Sequence, residues 1–170
     1  MINIVLYQPE IPQNTGNIMR TCAGTGAKLH LIRPLGFSLS ENAIKRSGVN
    51  YIEKCDYEIY DNWGDFLKKN NSGIFCYLTR YGKKPHSDFD FSDKDSDIYL
   101  IFGKESTGIP KEILKEHLDE CARIPTNDNI RALNLSNCVA LVLFEALRQQ
   151  DYPNLLRTEP FKGEDYLLDD

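Results

Sequence analysis

The sequence predicts an α/β fold, a mostly parallel sheet flanked by helices. Three observations lead there. Apolar runs at Ile2 to Tyr7, Ile74 to Thr79 and Ile98 to Phe102 lack polar alternation and suit strands buried on both faces. Stretches with helical spacing and helix-boundary residues alternate with these runs, the pattern of a parallel sheet. The chain has 170 residues, 41% apolar and 26% charged, enough for one domain with its own core and unlike a disordered chain.

Taken in order, Ile2 to Tyr7 reads as a central strand, stopped by Pro9 and Pro12, which hold Q-P-E-I-P-Q extended. Asn14 or Thr15 is placed to cap a helix running to about Ala23, ended by Gly24 and Gly26. Lys28 to Arg33 is a second strand. Ser40 caps a short helix, Glu41 to Arg46. Residues 51 to 60 alternate loosely, as an edge strand would. Asp61 to Asn70 reads as a helix with Trp63, Phe66 and Leu67 inward, before the strand Ile74 to Thr79. The polar stretch from Pro85 to Asp97 reads as a surface loop. Ile98 to Phe102 runs into a loop bounded by Gly103 and Gly108, and Pro110 opens a helix, where its missing N–H costs nothing. A short strand ends at Pro125. A polar loop then leads through Asn134 or Ser136 into a long helix. On that helix Leu135, Val139, Val142, Leu143, Ala146 and Leu147 share a face, yet Leu141 and Phe144 elsewhere are apolar too. Such a helix needs cover on more than one side, from the core alone or from a second copy of the chain; pattern leaves both open.

Net charge is −5, but residues 158 to 170 hold five acids against Lys162, so the remainder carries −1. A nearly neutral body is compatible with one basic face, and equally with a solvated mixed surface. Five cysteines at scattered spacings, with no C-x-x-C, point to reduced cytosolic thiols rather than a disulfide framework or zinc site. The apolar start is too short for a signal peptide or a membrane span.

Several chemistries are excluded. Gly103 and Gly108 have P-loop spacing, but Ile109-Pro110 stands where Lys-Ser/Thr is required. No G-x-G-x-x-G follows the first strand and no G-x-S-x-G occurs. His30, His86 and His117 lie far apart in sequence, so no metal site is expected. What remains is a site of loops, backbone amides, Asn, Ser, Glu and Arg, suited to a nucleoside-like ligand.

Three segments together resemble a known family. N-T-G-N-I-M-R (14–20), L-I-F-G-K-E-S-T-G-I-P (100–110) and I-P-T-N-D-N-I-R-A-L-N-L-S-N (124–137) look like the three motifs of the SPOUT-class RNA ribose 2′-O-methyltransferases. The opening N-I-V-L-Y-Q-P-E-I-P-Q-N-T-G-N is most similar to the bacterial branch that methylates the wobble nucleotide of leucine tRNAs. The resemblance covers about residues 1 to 155. It implies a C-terminal deep trefoil knot, which pattern reasoning never proposes because knots are nearly absent from proteins. It also implies bound S-adenosyl-L-methionine, released as S-adenosyl-L-homocysteine, a cytoplasmic homodimer, and the anticodon loop of tRNA as substrate. Residues 1–157 would form the methyltransferase domain and 158–170 an acidic tail, whose Phe161, Tyr166, Leu167 and Leu168 suggest docking on the surface. Other tRNA or rRNA sites, and a non-catalytic knotted RNA-binding protein, are the competing readings.

Carried over by position, the resemblance puts the cofactor against Leu78, Gly103, Ile124, Ala132 and Leu133, mostly through backbone groups. Arg20, Asn14, Glu105, Asn134 and Ser136 match its polar catalytic positions, with Asn137 behind them. The family pattern has serine at Ala132 and tyrosine at Phe144, so a hydroxyl role is lost at both. Arg20 is a poor base, because guanidinium holds its proton above pH ~12. As a cation beside the 2′-oxygen it would favour a developing alkoxide. Its structural alternative is a helix arginine paired with a local acid; Glu105 itself is placed to pair with Arg20 or Arg131. For RNA phosphates the candidates are Arg20, Lys45, Arg46, Arg80, Lys83, Lys84 and Arg131. Tyr81 in R-Y-G-K-K is placed to stack on an exposed base.

Overall fold

The computed structural model describes residues 1–40 and 51–168. Its elements are β1 (Ile2–Tyr7), α1 (Pro12–Thr25), β2 (Lys28–Ile32), β3 (Tyr57–Tyr60), α2 (Trp63–Lys69), β4 (Ile74–Leu78), β5 (Lys84–Pro85), β6 (Ile98–Phe102), α3 (Lys111–Leu114), β7 (Cys121–Arg123) and α4 (Leu135–Gln149). The seven strands form one sheet in the order β3-β2-β1-β6-β4-β7-β5, every pair parallel.

Because strand side chains alternate, each apolar run feeds two cores. Ile4, Leu6, Leu29, Leu31, Leu100 and Phe102 pack on one face with Ile18, Met19 and Cys22 of α1 and with Val139, Val142, Leu143, Ala146 and Leu147 of α4. Val5, Ile32, Tyr77, Tyr99 and Ile101 pack on the other with Phe66 of α2 and Leu114 of α3. β1 and β6 pair side by side at the centre of the sheet, and every residue of β6 is buried.

Boundaries differ from the expectation where a local signal outweighed pattern. α1 starts earlier: Pro12 occupies its first turn behind an extended Ile11, and Asn14 and Thr15 lie buried inside the helix instead of capping it. A proline that lacks an N–H is well suited to that place. α1 ends on Gly26 at φ 76, whose N–H donates to the Cys22 carbonyl. Only Tyr57–Tyr60 of residues 51 to 60 is strand, and it is an edge strand. The expected helix Glu41 to Arg46 lies outside the described residues.

The polar stretch after β4 is not wholly surface loop. It contributes β5, and Phe91 is fully buried. Gln149 and Gln150 at the end of α4 hold it: the Phe91 N–H donates to Gln149 Oε1 at 2.6 Å, and Gln150 Nε2 donates to the Phe91 carbonyl at 2.9 Å. α4 is capped by Asn134, as expected, and leaves Leu141 and Phe144 exposed at 38% and 45%. The tail does not dock: Phe161, Leu167 and Leu168 are 92%, 89% and 81% exposed. Among the described residues, no helix is long and apolar enough to cross a membrane.

Candidate active site

β6 ends at Phe102, and the chain then turns sharply at Gly103. A Cβ there would sit 2.1 Å from the Gly108 carbonyl carbon, so only glycine fits. The turn closes by paired backbone bonds between Lys104 and Gly108, with Gly108 at φ 74. This fold-back carries Glu105 to the start of α1.

There the Glu105 carboxylate accepts from the backbone N–H of Glu10 (2.8 Å) and Ile11 (3.1 Å), and from Asn14 Nδ2 (3.3 Å). It serves the unpaired donors at a helix N-terminus, where the dipole also favours an anion. Glu10 answers in the other direction. Its Oε1 accepts from the Ser106 N–H (3.0 Å) and hydroxyl (2.5 Å). The two Ser106 bonds hold the Glu10 carboxyl below its ordinary pKa. A cleft of about 250 Å3 lies between Glu10, Ile11, Glu105 and Ser106.

The chain of bonds continues. Asn134 Nδ2 donates to Asn14 Oδ1 at 3.0 Å, and Asn134 Oδ1 accepts from the Ser136 N–H (2.9 Å) and hydroxyl (2.6 Å). Four of the five expected catalytic positions, Asn14, Glu105, Asn134 and Ser136, therefore form one connected network. Arg20 is not in it. It lies exposed on α1, its guanidinium carbon 5.2 Å from the centroid of the Tyr51 ring. Among the described residues Arg20 has no acidic partner, and Glu105 pairs with neither Arg20 nor Arg131. The α1 N-terminus has already taken the Glu105 oxygens.

Leu78 ends β4, and Gly103 and Ile124 directly follow β6 and β7, three neighbours in the sheet, so these expected cofactor positions gather at the carboxyl ends of the strands. Open α/β sheets bind ligands outside those ends. From Thr126 to Asn134, among the described residues, no backbone N–H donates to a backbone carbonyl. A segment whose N–H groups are outside the backbone ladders matches a ligand recognised through neutral hydrogen bonds, and Ala132 and Leu133 belong to it. Asn129 N–H donates to Asn127 Oδ1, a turn former's contact.

Of the RNA candidates, Arg80 and Lys83 stand exposed on the turn after β4, Lys84 stands exposed at the start of β5, and Arg131 stands exposed before α4. Tyr81 is 72% exposed with the Arg80 guanidinium over its ring at 5.3 Å, and Lys84 Nζ lies 4.0 Å from the Phe89 ring centroid. Lys45 and Arg46 lie outside the described residues. Sequence reasoning missed Glu10, Ser106 and Tyr51. Glu10 had a signal: an acid held between two prolines directly before a helix. The Tyr51 contact joins parts of the chain far apart in sequence and had none. Among the described residues, no group of three or more His, Cys, Asp or Glu residues is placed to hold a metal ion.

Known proteins are similar to this chain in sequence and in fold. A Geobacillus stearothermophilus protein is 51% identical over 154 residues, covering 91% of this chain and 98% of its own. The tRNA (cytidine(34)-2′-O)-methyltransferase of Methylovorus glucosotrophus is 44% identical over 153 residues, covering 89% and 97%. A solved structure described as giving insight into 2-OH methylation of C/U34 on tRNA superposes with a TM-score of 0.82 at 38% identity, covering 89% of this chain and 97% of its own. The profile of the SpoU rRNA methylase family matches residues 1–144, and the chain belongs to that family.

Proposed function

We propose that the chain methylates the ribose 2′-OH of the wobble nucleotide, cytidine or a modified uridine, in the anticodon loop of leucine tRNA, using S-adenosyl-L-methionine. The observation that carries this reading is the network from Glu105 through Asn14 to Asn134. It ties together the three strand-end segments that resemble the family's motifs. Support for the substrate comes from the relatives, at 44% identity in Methylovorus glucosotrophus and 38% for the C/U34 structure.

The cofactor would supply a methyl group on a sulfonium, already activated for transfer. Backbone groups between Ile124 and Leu133, with Leu78 and Gly103, would hold it. Positioning of this kind contributes ~7–11 kcal/mol in favourable cases. Arg20 would orient the nucleotide through its phosphate and favour negative charge growing on the 2′-oxygen as that hydroxyl loses its proton. Glu105, Asn14 and Asn134 fix the walls of the site, and Ser136 keeps Asn134 in place. The active form is a homodimer: a second copy covers Leu141 and Phe144 and completes each site. The segment from Ile124 to Asn134 is the threaded loop of a trefoil knot. Residues 1–157 form the catalytic domain, and the enzyme works in the cytoplasm.

Incubation with bulk tRNA and methyl-labelled cofactor tests this. Label on the ribose of nucleotide 34 is expected. Label at another tRNA nucleotide, or in rRNA when that is supplied in place of tRNA, moves the reaction elsewhere; cofactor binding without any label in either makes the chain a non-catalytic RNA binder. Affinity for tRNA should also fall steeply with salt, since each neutralised phosphate releases counterions. A flat salt response would remove Arg80, Lys83, Lys84 and Arg131 from the RNA contacts.

A further inference from the structure

Arg20 presents an unusual combination. It is exposed, it is the one expected catalytic side chain outside the polar network, and among the described residues it has no acidic partner. A carboxylate would hold it firmly but would occupy the N–H donors and offset the charge that a phosphate or developing alkoxide needs. An aromatic face attracts the cation and accepts none of the in-plane donors. Tyr51 offers that face, at 5.2 Å.

The ring is itself held in place. Tyr51 begins a tight turn in which its carbonyl accepts from Lys54 N–H (3.1 Å) and Cys55 N–H (2.8 Å). Cys55 is buried in the same hydrophobic core as Cys22, on α1 two residues after Arg20. Ile52 packs against the same core. The turn is thus anchored in the core that α1 enters at Cys22, and it delivers the ring to Arg20. The Tyr51 hydroxyl has no hydrogen bond within the described structure, so the ring and not the phenol is the part in use.

We propose that Tyr51 is the positioning residue of Arg20: it fixes the direction of the guanidinium while leaving its donors and charge available to the RNA. The inference rests on the methyltransferase reading, and a substitution series with two readouts separates the two. Turnover is measured at saturating cofactor and tRNA for Tyr51→Leu, Tyr51→Phe and Tyr51→Trp. The Arg20 Nε–Hε resonance is followed by NMR in the same variants. Tyr51→Leu should lower turnover by about fivefold, the scale of a surface cation–π contact. S-adenosyl-L-homocysteine affinity and Tm should be unchanged, and the resonance should lose its upfield ring-current shift. Tyr51→Phe should stay within about twofold of the native rate and keep the shift, and Tyr51→Trp should do at least as well, because indole is the better cation–π partner.

Three results would overturn the proposal. One is a Tyr51→Leu variant that matches the native protein in rate and spectrum. Another is a Tyr51→Phe variant as slow as Tyr51→Leu, which makes the hydroxyl the active part. The third is a Tyr51→Leu variant that loses Tm and cofactor affinity together with turnover, which reduces Tyr51 to packing. If the native protein labels no RNA, the functional reading fails by itself, and the resonance series still decides whether Tyr51 holds Arg20.

Discussion

Two polar networks of similar composition sit in this fold, and they behave in opposite ways. One joins Glu105, Asn14, Asn134 and Ser136 at the strand ends. The other lies between the sheet and α2. There His30 Nε2 meets Asn3 Oδ1 and His30 Nδ1 meets the Tyr60 hydroxyl, both at 2.9 Å. Asn70 joins Tyr60 and Tyr99, each at 3.2 Å, and Asn3 Nδ2 donates to the Ile98 carbonyl at 3.3 Å. Asn3 presents an oxygen to the ring, so the imidazole proton is assigned to Nε2 and Nδ1 accepts from Tyr60. Every member of this second network is saturated by another, and His30 is 1% exposed. The strand-end network instead borders a segment, Thr126 to Asn134, whose N–H groups donate to no backbone carbonyl among the described residues, and an arginine with no acidic partner among them. A network that uses all its capacity specifies the core; one that leaves capacity over can bind something.

The sharpest way to break this contrast is Arg20→Ala. Methylation should fall by about a hundredfold to a thousandfold, the scale of removing one group that stabilises transition-state charge. Stability should change by no more than about 0.5 kcal/mol, as for other exposed positions, and cofactor affinity should persist. Near-normal turnover, or a fall in Tm that accounts for the loss, would move Arg20 to the structural side of the comparison.

The closed network should show the reverse at His30. Burial first, then the nearby Lys28 charge, pushes the His30 pKa down to about 4, with Glu58 and Asp56 opposing. The fold therefore holds neutral imidazole, while the unfolded chain binds a proton more readily. Stability from this group is complete above the unfolded pKa of about 6.5 and is lost as pH falls through about 4, a span of about 3 kcal/mol. Tm measured from pH 7.5 to 4 should fall more steeply for the native protein than for His30→Leu. That variant also loses about 2–4 kcal/mol at neutral pH, since Asn3 and Tyr60 keep buried polar atoms without a partner. Its folded fraction should retain native turnover. A pH profile that His30→Leu leaves unchanged would remove this histidine as a source of acid sensitivity.

Asn134→Ala tests a residue that serves both purposes. Its oxygen caps α4 through the Ser136 N–H, and its amide reaches Asn14. Loss of the cap costs about 1 kcal/mol, and the loosened wall should slow methylation by about tenfold. Equal stability with lost activity would make the cap redundant, whereas lost stability with full activity would make the Asn14 contact incidental.

What the sequence disclosed follows the range of the forces involved. β1, β4 and β6 were legible because burial on both faces writes itself as a local apolar run. α4 and its Asn134 cap were legible because capping is local chemistry. Asn14, Glu105, Asn134 and Ser136 were singled out through the family resemblance. The bonds among them, with |i−j| of 91 and 120 for Glu105–Asn14 and Asn134–Asn14, required the fold. Ser106 went unread because it looks like an ordinary polar loop residue, and the placing of Glu10 between two prolines gains a meaning only once the loop after β6 folds back. Phe91 went unread for the opposite reason, as one buried aromatic inside a polar run. β5, two residues long, carries too little sequence to announce itself.

The smallest effect probes the far edge of the closed network. The Tyr99 hydroxyl donates to Asn70 Oδ1, and Asn70 also bonds to the Phe66 carbonyl at 2.9 Å, which ties the end of α2 to the sheet. Tyr99→Phe removes that donor and leaves the ring, which is stacked on Phe75 with centroids 4.8 Å apart. Asn70 is half-buried, so water can replace the hydroxyl. The loss should be about 0.5–1 kcal/mol, the net worth of one neutral hydrogen bond, read as a small fall in the denaturant midpoint with an unchanged slope. Methylation should not change, because the hydroxyl acts only within the saturated set. A drop in turnover on this substitution would show that the two networks communicate through β6, and the division between a structural and a functional network would no longer hold.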